Sequence, residues 1–428
     1  MKTVKGNYYS GGFAEIVSNP SDITYSYLKE WFNGKSSLGK AMKILSLPYQ
    51  EINVPILELI DGELLVNLQN EEKTLYKNTI FKYMQQKNFD DTPKLMIDKF
   101  KLVNPVNLIN TFNILIKQSI WISNPQKVLN FAKDLVKNMP ESTEENKTSI
   151  EQILRNDIWP PVIVLGVLSE FFNQLIKQDS GINFSAIHSY ISNKQSLQDW
   201  FFLSIAEQKR VKDKKLSFEH YIEKYGKRAD KDYELISPRW YEMKDTVKKR
   251  INGLRGNFSA NSVDENLYSI LKKNLQSYID TLIELQILRS EAKRKILLGV
   301  DVLRRKLKPR NEIKLEPVNR FASFSNSQGQ AVSKGVAEGI VKHITSNDQL
   351  ISEDCIGIFP NASPEFSVQY PKCKGIIFLK GGQTSHGSIV AREFGIPALI
   401  ASSANKLQDG IFVTINGTEG TWVVGKLK

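Results

Sequence analysis

The stretch Gly381-Gly382-Gln383-Thr384-Ser385-His386-Gly387-Ser388-Ile389-Val390-Ala391-Arg392 decides how this chain reads. The apolar run Gly375-Ile376-Ile377-Phe378-Leu379 precedes it and predicts a short buried strand. Two glycines break that strand. The positions Ile389, Val390, Ala391 and Phe394 then predict a helix, which stops at Gly395 and Pro397. His386 therefore sits where a glycine turn opens into a helix. Backbone N–H groups and the helix dipole favour negative charge at such a place. A histidine there is set to carry a phosphoryl group on its ring. The other histidines, His188, His220 and His343, lie in segments without an accompanying acid, a metal-ligand spacing or a glycine turn. They are expected to be ordinary surface or core side chains.

Outward from this turn, the chain has 428 residues, enough for several domains with sizeable cores. Apolar residues make up 41%, which excludes a disordered chain. Residues 1–20 hold no apolar run of the signal-peptide kind. The longest apolar run, Trp159 to Leu168, is too short to span a bilayer and contains Pro160-Pro161. Cys355 and Cys373 make neither a disulfide framework nor a metal spacing, so reduced thiols and a cytoplasmic location are expected. The net charge is +12, and from Phe321 onward there are 9 Lys and Arg against 8 Asp and Glu. The first 320 residues thus carry +11. Such a region attracts nucleic acid, an acidic partner or a phosphorylated substrate. The plainer reading is lysine scattered over solvated helices.

Read in order, the pattern predicts a multidomain α plus α/β chain. Residues 1–70 form a loop, helix and hairpin segment expected to pack on the helical domain. Within it, a capped helix is expected at about Ile23–Phe32, and Asp61-Gly62 between two apolar runs signals a β-hairpin. Residues 71–308 read as a large, mainly helical domain. Ser142-Thr143-Glu144-Glu145 is a capping-box sequence, Pro160-Pro161 is expected to open a helix, and further helices fit 196–209, 213–225 and 240–251. A long helix is expected over 262–308, stopped by Pro309. Residues 309–332, with Pro309, Pro317 and Asn326-Ser327-Gln328-Gly329, read as an interdomain linker. Residues 333–428 read as a compact β/α domain with short strands and glycine turns.

The Gly381–Arg392 stretch, followed by Glu393-Phe394-Gly395-Ile396-Pro397-Ala398, resembles the phosphohistidine signature of the phosphoenolpyruvate-utilising enzymes. Ser333-Lys334-Gly335-Val336-Ala337-Glu338-Gly339 is similar to the opening of that swivelling domain. Asp409-Gly410 and Asn416-Gly417-Thr418-Glu419-Gly420 are similar to its closing strands. One departure is Gly387, where the family usually has Ser, Thr or Ala; glycine weakens helix initiation. Tyr225-Gly226-Lys227-Arg228 with Glu234 to Glu242 is similar to the acceptor-substrate domain of rifampicin phosphotransferase-like members. Pro238-Arg239-Trp240 reads equally as a helix start with an aromatic anchor. Arg228 and Arg239 suit either carboxylates or phosphate.

The resemblance implies that His386 is the phosphoryl carrier, with Gly381, Gly382, Thr384, Ser385, Ser388 and Arg392 positioning it or the phosphate. Arg392 reads otherwise as a plain helix arginine. Thr384 matches a regulatory phosphorylation position, or simply bonds the turn. Arg228, Arg239 and Trp240 are the implied substrate contacts. No stretch matches an ATP-grasp domain or a Walker loop. ATP and Mg2+ are therefore expected on a separate ATP-grasp subunit, with no cofactor or metal held directly by this chain. The acceptor is an unnamed small molecule. The alternatives are a non-catalytic binding or regulatory protein that kept the scaffold and a nucleic-acid-binding helical protein, suggested only by the charge.

Overall fold

A computed structural model describes residues 3–4, 8–9, 20–60, 63–75, 119–141, 149–177, 184–230, 232–252, 265–307, 329–346, 349, 355–363, 366–367, 369–383 and 385–425. The capping-box residues 142–145, positions 309–328 of the expected linker, and Thr384 lie outside the described residues.

The chain divides into two compact units. The first takes most of the N-terminal half and the Glu265–Lys308 segment. Its small sheet has strands β1 (Thr3–Val4), β2 (Tyr8–Tyr9), β3 (Leu57–Ile60) and β4 (Glu63–Asn67) in the order β1-β2-β4-β3. The expected hairpin is present, with Ile60 opposite Glu63 and Leu57 opposite Val66. The expected N-terminal helix spans Asp22–Trp31, and the Ser21 hydroxyl caps it by accepting from the Thr24 N–H.

In the same unit the helix Trp159–Lys177 packs against Lys273–Lys306, which runs 34 residues, about 50 Å at 1.5 Å per residue. Pro160-Pro161 does not open a helix. It lies inside a continuous helical run from Ile150, just after a π-helical turn at Leu154–Ile158. The Trp159 N–H reaches back to the Leu154 carbonyl, and this wider turn accommodates residues that lack an N–H. The run Ile150–Lys177 is long and apolar enough to cross a membrane by length and composition. However, 67% of its apolar window is buried inside the fold, as in a core helix.

The second unit joins the described residues of His188–Asp264 to those of Pro309–Lys428. This departs from the single helical block expected over 71–308. The cause is apolar: Phe202 and Ile205 are buried in one cluster with Phe359, Phe378, Val390 and Ala391 of the C-terminal part. The sheet here has strands β5 (Gln330–Ser333), β6 (Val336–His343), β7 (Cys355–Phe359), β8 (Gly375–Phe378), β9 (Ala398–Ile400), β10 (Phe412–Asn416) and β11 (Thr421–Val424). Their order is β11-β10-β6-β7-β8-β9-β5. β6 to β9 are parallel neighbours, flanked by antiparallel pairs at both sides. β7 and β8 are buried along their whole length, as their unbroken apolar runs require. β5 begins at Gln330, inside the stretch expected to be linker. The opening and closing glycine motifs meet. Ala337 pairs with Ile415, the Gly417 N–H donates to the Gly335 carbonyl, and Gly335 has a φ of +119°.

Candidate functional site: the turn that carries His386

β8, the turn and the helix His386–Glu393 lead into β9, so His386 lies beyond the carboxyl end of a central parallel strand. Ligand sites of open α/β sheets concentrate at such ends. Ser385 is the N-cap and His386 the first helical residue. The two glycines differ in what they do. Gly381 has a φ of +141°, and a Cβ there would come 2.9 Å from the Ala362 Cβ; Gly382 has open space around it.

The hydroxyls of Ser385 and Ser388 both donate to the Gly382 carbonyl, at 2.6 and 2.7 Å, and lie 2.9 Å from each other. Both serines are buried. They therefore bind the turn to the helix start. The Gly387 N–H, one of the helix-start donors expected to face a phosphate, donates instead to the Ala362 carbonyl at 2.9 Å. Gly387 itself is set by packing. A Cβ there would meet the Tyr370 Oη at 2.8 Å and both the Ala362 Cα and a Phe378 ring carbon at 3.0 Å. The departure from the signature at this position is thus matched by the bulk of Tyr370 and Phe378.

Arg392 is buried. Its guanidinium donates to the carbonyls of Val332 (3.2 Å) and Gln383 (2.6 Å) and to the Ser192 hydroxyl (3.3 Å). Burial pulls its pKa down to about 10, while the Glu393 carboxylate pushes the other way. It is not a solvent-facing arginine; it ties β5, the turn and a helix together. Glu393, its neighbour, accepts from the Ser196 hydroxyl at 2.8 Å through Oε2. Burial pushes the Glu393 pKa up to about 7, against the opposing pull of Ser196 and Arg392.

The His386 ring stacks on Phe202, with ring centres 5.1 Å apart and planes 8° from parallel. Sequence reading missed Phe202, Glu393 and the Ala362 loop. Glu393 was quoted within the signature, but nothing local marks its burial. Phe202 sits at the apolar start of a helix with no motif.

Arg228, Arg239 and Trp240 do come together, but in the interior. Arg228 pairs with Asp232 at 2.9 Å, both side chains almost fully buried, and lies between the rings of Phe201 and Trp240 at 5.2 and 4.9 Å. It also donates to the Ser204 hydroxyl. Burial works against its charge, and the charge and hydrogen bonds of Asp232 more than offset that, so its pKa rises. Arg239 donates to the Asp232 carbonyl at 2.7 Å. Of the partners left open by sequence, Arg228 takes the carboxylate. Trp240 is a packing anchor, while the helix after it starts at Lys244. The trio, expected as substrate contacts, is buried: Arg228 is 2%, Arg239 0% and Trp240 4% exposed.

His343 does have an acid. Its Nδ1 lies 2.7 Å from Asp409, which its own backbone N–H also reaches, at the exposed end of β6. Among the described residues no group of three or more His, Cys, Asp or Glu side chains is arranged to hold a metal ion.

Residues 351–420 match the family described as PEP-utilising enzyme, mobile domain. The chain is 30% identical over 105 residues to a probable phosphoenolpyruvate synthase of Archaeoglobus fulgidus, a match covering 24% of this chain and 14% of that protein. It is 33% identical over 95 residues to the rifampicin phosphotransferase of Bacillus subtilis, covering 22% and 11%. The Bacillus cereus rifampicin phosphotransferase is 35% identical over 95 residues, with the same coverage. This chain thus spans only a small part of the length of these relatives. The matched residues 351–420 hold β7 to β10 and the His386 turn, so the similarity to the PEP-utilising enzyme, mobile domain, centres on the candidate site.

Proposed function

We propose that this chain is the carrier component of a dikinase-type phosphotransferase. The observation that supports this best is His386 at the first position of a helix, beyond a buried parallel strand, inside the segment that matches the mobile domain. In the proposed reaction an imidazole nitrogen of His386 attacks a phosphorus of ATP held, with Mg2+, by a separate ATP-grasp subunit. A P–N bond forms, and the P–O bond to the departing nucleotide breaks. A nucleophilic oxygen of a small-molecule acceptor then attacks the same phosphorus. The P–N bond breaks, the imidazole recovers its lone pair, and the acceptor's proton passes to solvent. In this reading the helical part of the chain binds the acceptor. Dividing the transfer in two lets distant sites share one carrier.

The experiment is incubation with phosphate-labelled ATP and ATP-grasp proteins encoded nearby. Acid-labile, alkali-stable label is expected on the chain and is lost in His386→Ala. Label that persists in that variant, or its absence with every such partner, sinks the reading. The second reading, a binding protein on the same scaffold, draws on the commitment of the Gly387 N–H and of Arg392 to backbone carbonyls. It predicts a cellular role untouched by His386→Ala.

A further inference from the structure

Among the described residues, three contacts of the helix His386–Glu393 reach side chains between positions 192 and 202, far away in sequence but in the same unit. At its start, the His386 imidazole lies flat on Phe202, which is itself 7% exposed. At its end, Arg392 reaches the Ser192 hydroxyl and Glu393 accepts from Ser196. Ser192 and Ser196 stand one turn apart on the helix Phe184–Ser196, and Phe202 is on the next helix, Trp200–Lys212. The Asp199 carboxylate caps that second helix through the N–H groups of Phe201 and Phe202, which fixes where the Phe202 ring emerges. The carrier helix is therefore held at both ends, about 11 Å apart at 1.5 Å per residue.

The chemistry of the ring makes this seat consequential. An imidazole nucleophile uses a lone pair in the plane of its ring, so a donor must approach an edge. A flat stack covers one face and fixes the plane, and in this arrangement the Nε2 of His386 is buried.

We propose that the Ser192, Ser196 and Phe202 surface is a docking seat that closes over His386, and that Nε2 becomes open to a phosphoryl donor only when the carrier helix leaves it. The importance of the seat to phosphoryl transfer rests on the carrier reading above. The closure itself does not, and it is tested without a partner or ATP.

The test uses phosphoramidate, a small donor that transfers its phosphoryl group to an imidazole nitrogen. The P–N bond of the reagent breaks, a P–N bond to His386 forms, and ammonia leaves with the imidazole proton. Diethylpyrocarbonate serves as a second probe. The rate at each histidine is read by peptide mass spectrometry in the full chain. His220, with 59% of its side chain exposed, is the internal standard. In the native chain His386 is expected to react at least about tenfold more slowly than His220. Phe202→Ala is expected to raise the His386 rate about fivefold or more and to leave His220 unchanged. The double variant Ser192→Ala/Ser196→Ala keeps the apolar contact and is expected to raise it about twofold to threefold. Phe202→Leu, which fills the space without a flat ring, guards against a folding defect and is expected to fall between native and Phe202→Ala. The seat is overturned if His386 matches His220 in the native chain, or if correctly folded Phe202 and serine variants leave its rate unchanged. If the variants behave as expected but no ATP-derived label ever reaches His386, only the carrier reading fails.

Discussion

Two turns in the same unit bury an arginine, and they treat it differently. At Arg228 the guanidinium meets the Asp232 carboxylate and two aromatic faces, and its pKa is raised. At Arg392 the guanidinium meets two carbonyls and a hydroxyl, and its pKa falls to about 10. A carboxylate neutralises a buried cation where it stands and closes the site. Carbonyls only solvate it, so the charge stays available to bridge segments. The first turn is thus a sealed node. The second is a joint, with Glu393 beside it poised to titrate and His386 at the far end of the same helix. The arginines and tryptophan that sequence marked as substrate contacts are thus buried away from the histidine turn's own contacts, while a phenylalanine without any motif lies against the histidine.

The sealed node breaks most severely. Asp232→Ala leaves the Arg228 charge buried and unpaired, and is expected to cost about 3–5 kcal/mol in denaturant unfolding. A loss under about 1 kcal/mol would put the node on a par with a surface pair. The joint is expected to respond to pH instead. The pKa of Glu393 is about 7 in the folded chain against an ordinary 4.5. A raised pKa means that the protonated form is favoured by folding. The contribution is full below about 4.5 and is lost as pH rises through about 7. Each pH unit in that window is worth about 1.4 kcal/mol, so the stability of the unit should fall by on the order of 2–3 kcal/mol between pH 5 and pH 8. Glu393→Gln should flatten this difference in parallel melts; an unchanged slope would remove Glu393 from the account.

Smaller effects sharpen the description of the turn. Gly387→Ala would gain helix propensity, yet its Cβ would meet the Tyr370 Oη at 2.8 Å and the Ala362 Cα at 3.0 Å. We expect a net loss of about 1–3 kcal/mol, recovered in part when Tyr370→Phe removes the nearest oxygen. A stabilised Gly387→Ala chain would show that packing does not explain the glycine. Ser388→Ala should cost about 0.5–1.5 kcal/mol, since Ser385 still donates to the same Gly382 carbonyl. A far larger loss would mean that the two hydroxyls act as a unit.

Much of the local structure around the site was legible. The buried strand, the glycine break, the helix opening at His386 and its stop before Gly395 all follow from spacing within a dozen residues. The same holds for the Ser21 cap and for the antiparallel pairing of β3 with β4. The reading failed where faces meet at long range. A local exception is Pro160-Pro161, which lies inside a helix because a π turn precedes it. Residues 188–252 left the helical block because their apolar face completes the core of the C-terminal sheet. His343 found its acid 66 positions away.

By itself, the sequence determined that His386 would stand at the head of a short helix after a buried strand. Helix periodicity, glycine's backbone freedom and the lack of a proline N–H act over a few neighbouring residues. Only the tertiary structure decided what surrounds that histidine. The ties from Ser196 to Glu393 and from Ser192 to Arg392 span 197 and 200 positions. No local rule selects such pairs. They arise because burying Phe202 and Ile205 brings that helix face to the sheet, and the polar groups carried along must then find partners in the interior.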